Sequence, residues 1–119
     1  MKPLPAIYLA SQSPRRQQLL TQIGVSFELL LPSDPNEAEA LENVLPGEDP
    51  ETYVRRVTRL KLQAALARLK ERQGPSRPVL CADTTVALRG EIMGKPRHAK
   101  HALAMLTQLS GRTHQVLTA

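Results

Sequence analysis

Apolar runs alternate with helical stretches along the first part of the chain. Residues 6–10 and 25–31 carry the short apolar pattern of buried strands. Between them, Ser13 stands at an N-cap position with Pro14 directly behind it, and Gly24 follows the last apolar position of the stretch. This pattern predicts strand, helix and strand in that order.

The middle of the chain changes from a loop pattern to a long helix. Residues 32–49 are rich in proline and acidic side chains, which predicts a loop. Asp49, Pro50 and Glu51 then open a helical stretch that continues to Gly74. Its predicted inward face contains Val54, Val57, Ala64 and Ala65.

The last part of the chain predicts three short strands, a helix and a final strand. These elements cover residues 79–82, 85–88, 91–93, 98–109 and 114–118. Arg89 and Gly90 separate the second and third strands, which indicates a hairpin with a tight turn. Because strands alternate with helices, we expect an α/β fold with a mixed sheet flanked by helices. The final strand has no covering element after it, so we expect an exposed sheet edge.

Length and composition restrict the class of protein. A chain of 119 residues with 41% apolar content fits one compact domain. No apolar run approaches the ~20 residues that span a bilayer, and the first residues lack the pattern of a secretory signal. We therefore expect a cytoplasmic protein. The single cysteine, Cys81, lies in an apolar run and is expected to be a small buried hydrophobe.

The charge balance favours an anionic partner. Sixteen Lys and Arg against eleven Asp and Glu give a net charge of +5. Nucleic acid and a phosphorylated small molecule both fit that charge. The chain has no Trp, one Phe and two Tyr, so it offers few side chains on which bases could stack. A basic nucleic-acid binder therefore ranks last among the functions considered.

The turn into the first helix carries the residue types that bind phosphate. Ser11, Ser13, Arg15 and Arg16 combine hydroxyl groups and guanidinium groups with the N–H groups of a helix N-terminus. The alternative is a capped helix start with two solvated arginines.

Three further side chains are candidates for phosphate or metal chemistry. Asp83 follows an apolar strand, where a carboxylate can bind a divalent metal or accept a proton, and its alternative is a turn aspartate. Lys95 lies between Gly94 and Pro96, and its alternative is a solvated lysine in a turn. Lys61 falls on the inward face of the long helix, so its ammonium group needs an anionic partner or a route to water.

Four blocks taken together resemble the Maf family of nucleotide pyrophosphatases. The blocks are residues 9–16, 82–84, 94–96 and 109–114, in that order. Each is weak alone, but their combined order and spacing leave little room for a chance match. The resemblance covers the whole chain and implies a Maf/ITPase-like α/β fold. It also implies that residues 1–119 form a single N-terminal portion, truncated after the first half, with the C-terminal half that completes the cleft absent.

The resemblance also assigns a role to each matching residue. It makes Asp83 the proton acceptor and a metal ligand, and Glu37 is the best match to the family glutamate that helps bind metal. Arg15 and Thr84 match positions linked to substrate choice, and the sequence around them resembles the branch that acts on dTTP and UTP. Phosphate- and substrate-binding positions match Ser11, Ser13, Arg15, Arg16, Lys61, Thr84 and Lys95.

The resemblance therefore implies an enzyme that hydrolyses a nucleoside triphosphate to the monophosphate and pyrophosphate. The implied cofactor is a divalent cation, Mg²⁺ or Mn²⁺. The expected partner is the nucleotide, with no nucleic acid and no membrane, and a homodimer is left open. The alternative is a truncated remnant that binds nucleotide phosphates without hydrolysing them.

Overall fold

The computed structural model describes residues 6–119, which form two compact units. The first unit contains residues 6–43 and 57–82, and the second contains residues 44–56 and 83–119. The strands are β1 (Ile7–Leu9), β2 (Phe27–Leu29), β3 (Val79–Leu80), β4 (Thr84–Leu88), β5 (Glu91–Met93) and β6 (Gln115–Thr118). The helices are α1 (Pro14–Gln22), α2 (Asn36–Ala40), α3 (Pro50–Arg72) and α4 (Ala99–Leu109). Within residues 6–119, no helix combines the length and apolar content that a membrane crossing requires.

The first unit is organised around a parallel sheet of order β2-β1-β3. Tyr8 of the central strand is buried and forms the core cluster with Leu30 and Ala65. The Tyr8 hydroxyl donates a 2.8 Å hydrogen bond to the carbonyl oxygen of Pro75. The phenol therefore fills the core and also fixes the turn that follows α3. Cys81 packs against this cluster, in agreement with the expected hydrophobic role.

Helix α1 begins and ends as the sequence predicts. Ser13 is the N-cap, and its hydroxyl oxygen accepts a hydrogen bond from the backbone N–H of Arg16. Pro14 occupies the first helical turn, where its missing N–H costs nothing. Gly24, with φ of 77°, lies just beyond the helix in the left-handed region that favours glycine.

The predicted loop at residues 32–49 is wrong for its central part, because residues 36–40 form the short helix α2. Asp34 Oδ1 accepts a hydrogen bond from the Asn36 N–H at 3.0 Å, and this contact orders the start of α2. Glutamate and alanine are good helix formers, and Glu37 and Glu39 lie in the first turn, where the helix dipole favours negative charge.

The second unit contains an antiparallel sheet of order β5-β4-β6. The predicted hairpin between β4 and β5 is confirmed. Arg89 has φ of 53° and Gly90 has φ of 79°. Positive φ at both central residues is the geometry of the type I′ turns that fit strand twist.

The strands form two separate three-stranded sheets, so the expectation of one mixed sheet is wrong, although the α/β class is confirmed. Strand β3 ends at Leu80 and pairs only in parallel, with β1. Strand β4 begins at Thr84 and takes both of its partners antiparallel. β5 pairs with one edge of β4 through the hairpin, and β6 pairs with the other edge. One sheet is therefore entirely parallel and the other entirely antiparallel.

Helix α4 is confirmed, but its apolar side chains are only partly covered. Ala102, Met105 and Leu109 are half-buried. Leu103 and Leu106 are 65% and 64% exposed. The helix therefore exposes the apolar side chains of Leu103 and Leu106 to solvent, in addition to its half-buried apolar face.

Candidate active site

The turn before α1 forms a compact hydrogen-bonded arrangement. Ser11 is buried, and its hydroxyl oxygen accepts hydrogen bonds from the Ser13 N–H at 3.2 Å and from Arg16 Nη1 at 3.4 Å. The Ser13 oxygen accepts from the Arg16 N–H at 3.4 Å. Both hydroxyl oxygens act as acceptors in these contacts, which leaves their protons available to donate. Such protons suit phosphate oxygens, which only accept.

Arg15 and Arg16 differ in their surroundings although they are neighbours. The Arg16 guanidinium is tied to the turn through Ser11 and is half-buried. Arg15 is exposed on the first helical turn, where backbone N–H groups lack partners within the helix. The Arg15 side chain can therefore reach an anion in solvent, whereas Arg16 stabilises the turn itself.

Lys61 points into the first unit, as predicted, and the structure supplies its anionic partner. Its Nζ lies 2.7 Å from Glu42 Oε1, and the two side chains are 17% and 16% exposed. From the sequence, Glu42 is one of several acidic residues of residues 32–49 that could supply a carboxylate to a metal, and its pairing with Lys61 was not predicted. The sequence does indicate that an inward lysine needs an anionic partner. It does not indicate which acidic residue is that partner, because residue spacing in an irregular segment does not show which side chain contacts the helix.

Glu37, the predicted metal ligand, lies in α2 and is half exposed. Its carboxylate is 3.9 Å from Arg68 Nη1, and its side chain is 49% exposed. Arg68 also donates to the Leu30 carbonyl oxygen at 3.2 Å. The role of Glu37 in metal binding remains a prediction.

Cys81 lies near the positive charges of Arg68 and Lys61 but is not activated by them. Burial raises the pKa of its thiol, and the two cations only partly oppose that effect. Because the thiolate is the nucleophilic form, this shift disfavours Cys81 as a nucleophile.

Asp83 and Thr84 lie at the start of β4 in the second unit. Asp83 is 8% exposed. Its N–H donates to the Ala119 carbonyl oxygen at 3.0 Å, and the Ala119 N–H donates back to the Asp83 carbonyl oxygen at 3.0 Å. Thr84 Oγ1 and Thr118 Oγ1 are 2.8 Å apart. The expectation that a strand runs to Ala82 is wrong, because β3 ends at Leu80; pairing with the end of β6 holds Asp83 instead.

Lys95 and the histidines lie around the connection from β5 to α4. Lys95 is exposed on the segment between Met93 and Ala99. His98 caps α4, with its Nδ1 accepting from the His101 N–H at 3.0 Å, and His101 Nδ1 accepts from the Arg97 N–H at 2.9 Å. The two imidazoles therefore order the start of the helix.

The candidate residues fall into two groups, one in each compact unit. The first unit contains Ser11, Ser13, Arg15, Arg16, Glu37 and Lys61, with Glu42 added by the structure. The second contains Asp83, Thr84 and Lys95. Each group can be described by itself, and the roles that the family resemblance implies for these residues in binding one nucleotide stay predictions.

Comparison with known proteins decides the family. The pattern of the family described as Maf-like protein matches residues 6–119. The chain belongs to this family. Its motif blocks at residues 9–16, 82–84, 94–96 and 109–114 all lie within the match, so the resemblance drawn from the residues is confirmed.

Maf-like relatives with curated names are similar over almost the whole chain. A Burkholderia orbicola protein is 64% identical over 115 residues, covering 97% of this chain and 55% of the relative. An Albidiferax ferrireducens protein is 64% identical over 113 residues, covering 95% and 56%. A Ralstonia nicotianae protein is 61% identical over 117 residues, covering 98% and 56%. Each is named dTTP/UTP pyrophosphatase. The chain thus spans about half the length of the curated relatives that it matches.

Proposed function

We propose that this Maf-like chain acts in the hydrolysis of dTTP or UTP to the nucleoside monophosphate and pyrophosphate. The observation that carries the proposal is the 64% identity to proteins named dTTP/UTP pyrophosphatase. The motif residues with phosphate chemistry lie in the matched region. The basic net charge of +5 also fits a triphosphate substrate.

In the proposal, the first unit binds phosphate oxygens. The protons of the Ser11 and Ser13 hydroxyls can donate to phosphate, and the exposed Arg15 guanidinium adds charge-assisted hydrogen bonds. Lys61 supplies a point charge. In the free chain Glu42 neutralises Lys61, and a triphosphate, which carries more negative charge than one carboxylate, competes for the ammonium group.

Asp83 is the proposed proton acceptor. The oxygen of a water molecule bonds to the α-phosphorus, and the bond from that phosphorus to the oxygen bridging to the β-phosphate breaks. Pyrophosphate leaves with the electron pair, and a proton of the water passes to the Asp83 carboxylate. The two hydrogen bonds between the backbones of Asp83 and Ala119 support this role, because they fix the backbone that carries the carboxylate. Lys95 is proposed to stabilise the charge that develops on phosphate oxygens.

The proposed divalent cation is bound mainly through the substrate. Mg²⁺ usually takes one or two carboxylates and completes its coordination with water and substrate phosphates. Among residues 6–119, no group of three or more His, Cys, Asp or Glu side chains is placed to hold a metal. Single carboxylates such as Asp83 and Glu37 suit a cation that arrives with the nucleotide. When bound, the cation neutralises phosphate charge.

Pyrophosphate release from dTTP and UTP tests the proposal, with dATP and GTP as comparison substrates and Mg²⁺ or Mn²⁺ present. We expect release from the pyrimidine nucleotides, and an Asp83→Asn variant should lose at least about 100-fold in kcat, as general-base catalysts commonly contribute. Glu71→Gln is the control, since Glu71 is an exposed acidic residue near the end of α3 and outside the proposed site.

One outcome would contradict the enzymatic proposal. Equal background rates for the native chain and Asp83→Asn would show that the chain does not hydrolyse the nucleotide. If dTTP still binds in equilibrium titrations under those conditions, the alternative of a nucleotide-binding chain without hydrolysis is correct.

A further inference from the structure

The contact between Thr84 and Thr118 gives a role to a residue outside the recognised motif blocks. We infer that Thr118 is a positioning residue that fixes the side chain of Thr84 next to Asp83. The inference rests on the proposed function where it assigns Asp83 and Thr84 to the site. Its structural basis is the 2.8 Å distance between the two Oγ1 atoms.

The strand register explains why these two hydroxyls meet. Asp83 and Ala119 exchange both of their backbone hydrogen bonds. In an antiparallel ladder the next opposed pair is then a non-hydrogen-bonded pair, whose side chains are closer together. That pair is Thr84 and Thr118. Cross-strand threonines in this geometry can bond through their hydroxyls.

The Thr84–Thr118 contact lies on the open face of the sheet. Thr85 and Ala87, which point to the opposite face of β4, are buried. Thr84 and Thr118 are exposed, and Val116, on the same face as Thr118, is 59% exposed. The two threonine hydroxyls therefore do not fill the core. Their contact can instead orient the Thr84 hydroxyl toward a ligand.

The hydroxyl pair also sets what Thr84 can offer. Either hydroxyl can be the donor in this contact, so Thr118 influences whether the Thr84 hydroxyl is oriented as a donor or as an acceptor. A Thr118→Val substitution removes this control while keeping the β-branched shape that strands favour.

Two matched variants separate positioning from simple structural support. Thr118→Ser retains the hydroxyl, whereas Thr118→Val removes it. Thr107→Val is the control, because it removes a side-chain hydrogen bond from Thr107 Oγ1 to the Leu103 carbonyl oxygen elsewhere in the same unit. Far-UV circular dichroism and thermal midpoints establish that each variant is folded.

The first readout is the χ1 rotamer of Thr84, measured by three-bond NMR couplings in the unliganded chain. We expect one rotamer in the native chain, Thr118→Ser and Thr107→Val, and averaging over rotamers in Thr118→Val. A single unchanged rotamer in Thr118→Val overturns the inference, whatever the activity of the chain.

The second readout is the kinetics of pyrophosphate release from dTTP. Thr118→Val should raise KM about 3- to 10-fold, the range expected for losing one neutral hydrogen bond, with kcat changed less than about 2-fold. Thr118→Ser should restore KM. Unchanged KM in an active Thr118→Val chain also overturns the inference. If the native chain releases no pyrophosphate, the proposed function fails, and the rotamer measurement still decides whether Thr118 positions Thr84.

Discussion

Lys61 and Glu42 form a 2.7 Å ion pair in which both side chains are more than four-fifths buried. Arg55 and Glu51 form a pair of similar length, 2.9 Å, but each is 65% exposed. Removing one partner of a buried pair leaves the other charge without compensation, whereas exposed pairs contribute little. We therefore predict that Glu42→Gln lowers the free energy of unfolding by about 1–3 kcal/mol, and Glu51→Gln by less than about 0.5 kcal/mol.

Urea titration followed by circular dichroism measures both changes in the ion-pair variants. Glutamine keeps the size of glutamate, so the comparison isolates the charge. Equal shifts in the two variants would show that burial of the Lys61–Glu42 pair has no energetic consequence. A double variant, Glu42→Gln with Lys61→Met, should recover part of the loss, because position 61 then no longer carries a buried charge.

The Glu48–Arg56 pair predicts a pH dependence of stability. Glu48 accepts hydrogen bonds from Arg56 Nε at 2.7 Å and Nη2 at 2.9 Å. The hydrogen bonds from Arg56 hold the pKa of the Glu48 carboxyl below its ordinary value of 4.5. The folded state thus favours the ionised form. This stabilisation is complete above the unfolded pKa and is lost as the pH falls through the lower folded pKa.

Thermal midpoints between pH 7 and pH 3 test this dependence. The midpoint of the native chain should fall more steeply below about pH 5 than that of Glu48→Gln. Arg56→Met should flatten the profile too, since it removes the main cause of the shift. Parallel profiles for the native chain and Glu48→Gln would exclude a contribution from this carboxylate.

The accuracy of the sequence predictions follows the range of the interactions involved. Ser13 and Gly24 mark the ends of α1 through contacts a few residues away, so both ends could be predicted. The turn at Arg89 and Gly90 is equally local. The division into two sheets depends on which distant strands pair, and an apolar run such as Val79–Leu80 does not encode its partner.

The candidate site shows the same limit. The inward direction of Lys61 follows from helical periodicity and was predicted. Its partner Glu42 lies 19 residues away in an irregular segment and could not be selected among several acidic residues. Thr118 has no unusual sequence context, and only the register of β4 with β6 gives it a role.

Backbone conformation predicts different effects of alanine at Gly90, in the turn between β4 and β5, and at Gly94, directly after β5. Gly90 has φ of 79°, whereas Gly94 is not in the left-handed region and has open space around an added Cβ. Gly90→Ala should lower the free energy of unfolding by about 1–2 kcal/mol, because an L side chain is strained there. Gly94→Ala should be neutral or stabilising by up to about 1 kcal/mol, since it restricts the unfolded chain.

Urea midpoints of the two alanine variants give this comparison directly. A loss for Gly94→Ala as large as that for Gly90→Ala would indicate that both segments need glycine for another reason. Arg89→Gly provides a further check: it should raise the midpoint, because Arg89 also has positive φ, 53°.

The exposed leucines of α4 predict self-association of the chain. Leu103 and Leu106 lie one turn apart and are 65% and 64% exposed. Adjacent exposed apolar side chains promote association because contact removes them from water. The double variant Leu103→Gln with Leu106→Gln should therefore scatter less light at high concentration and bind less of a dye such as ANS.

Stability measurements distinguish this effect on association from an effect on folding. Because both leucines already contact water, the double variant should change the free energy of unfolding by less than about 1 kcal/mol. Leu109→Gln is the matched control: Leu109 is half-buried on the same helix, so it should cost about 1–3 kcal/mol without reducing association. If the double variant is destabilised as much as Leu109→Gln, Leu103 and Leu106 pack against other side chains in the folded chain. Their exposure to solvent then cannot explain the self-association of the native chain.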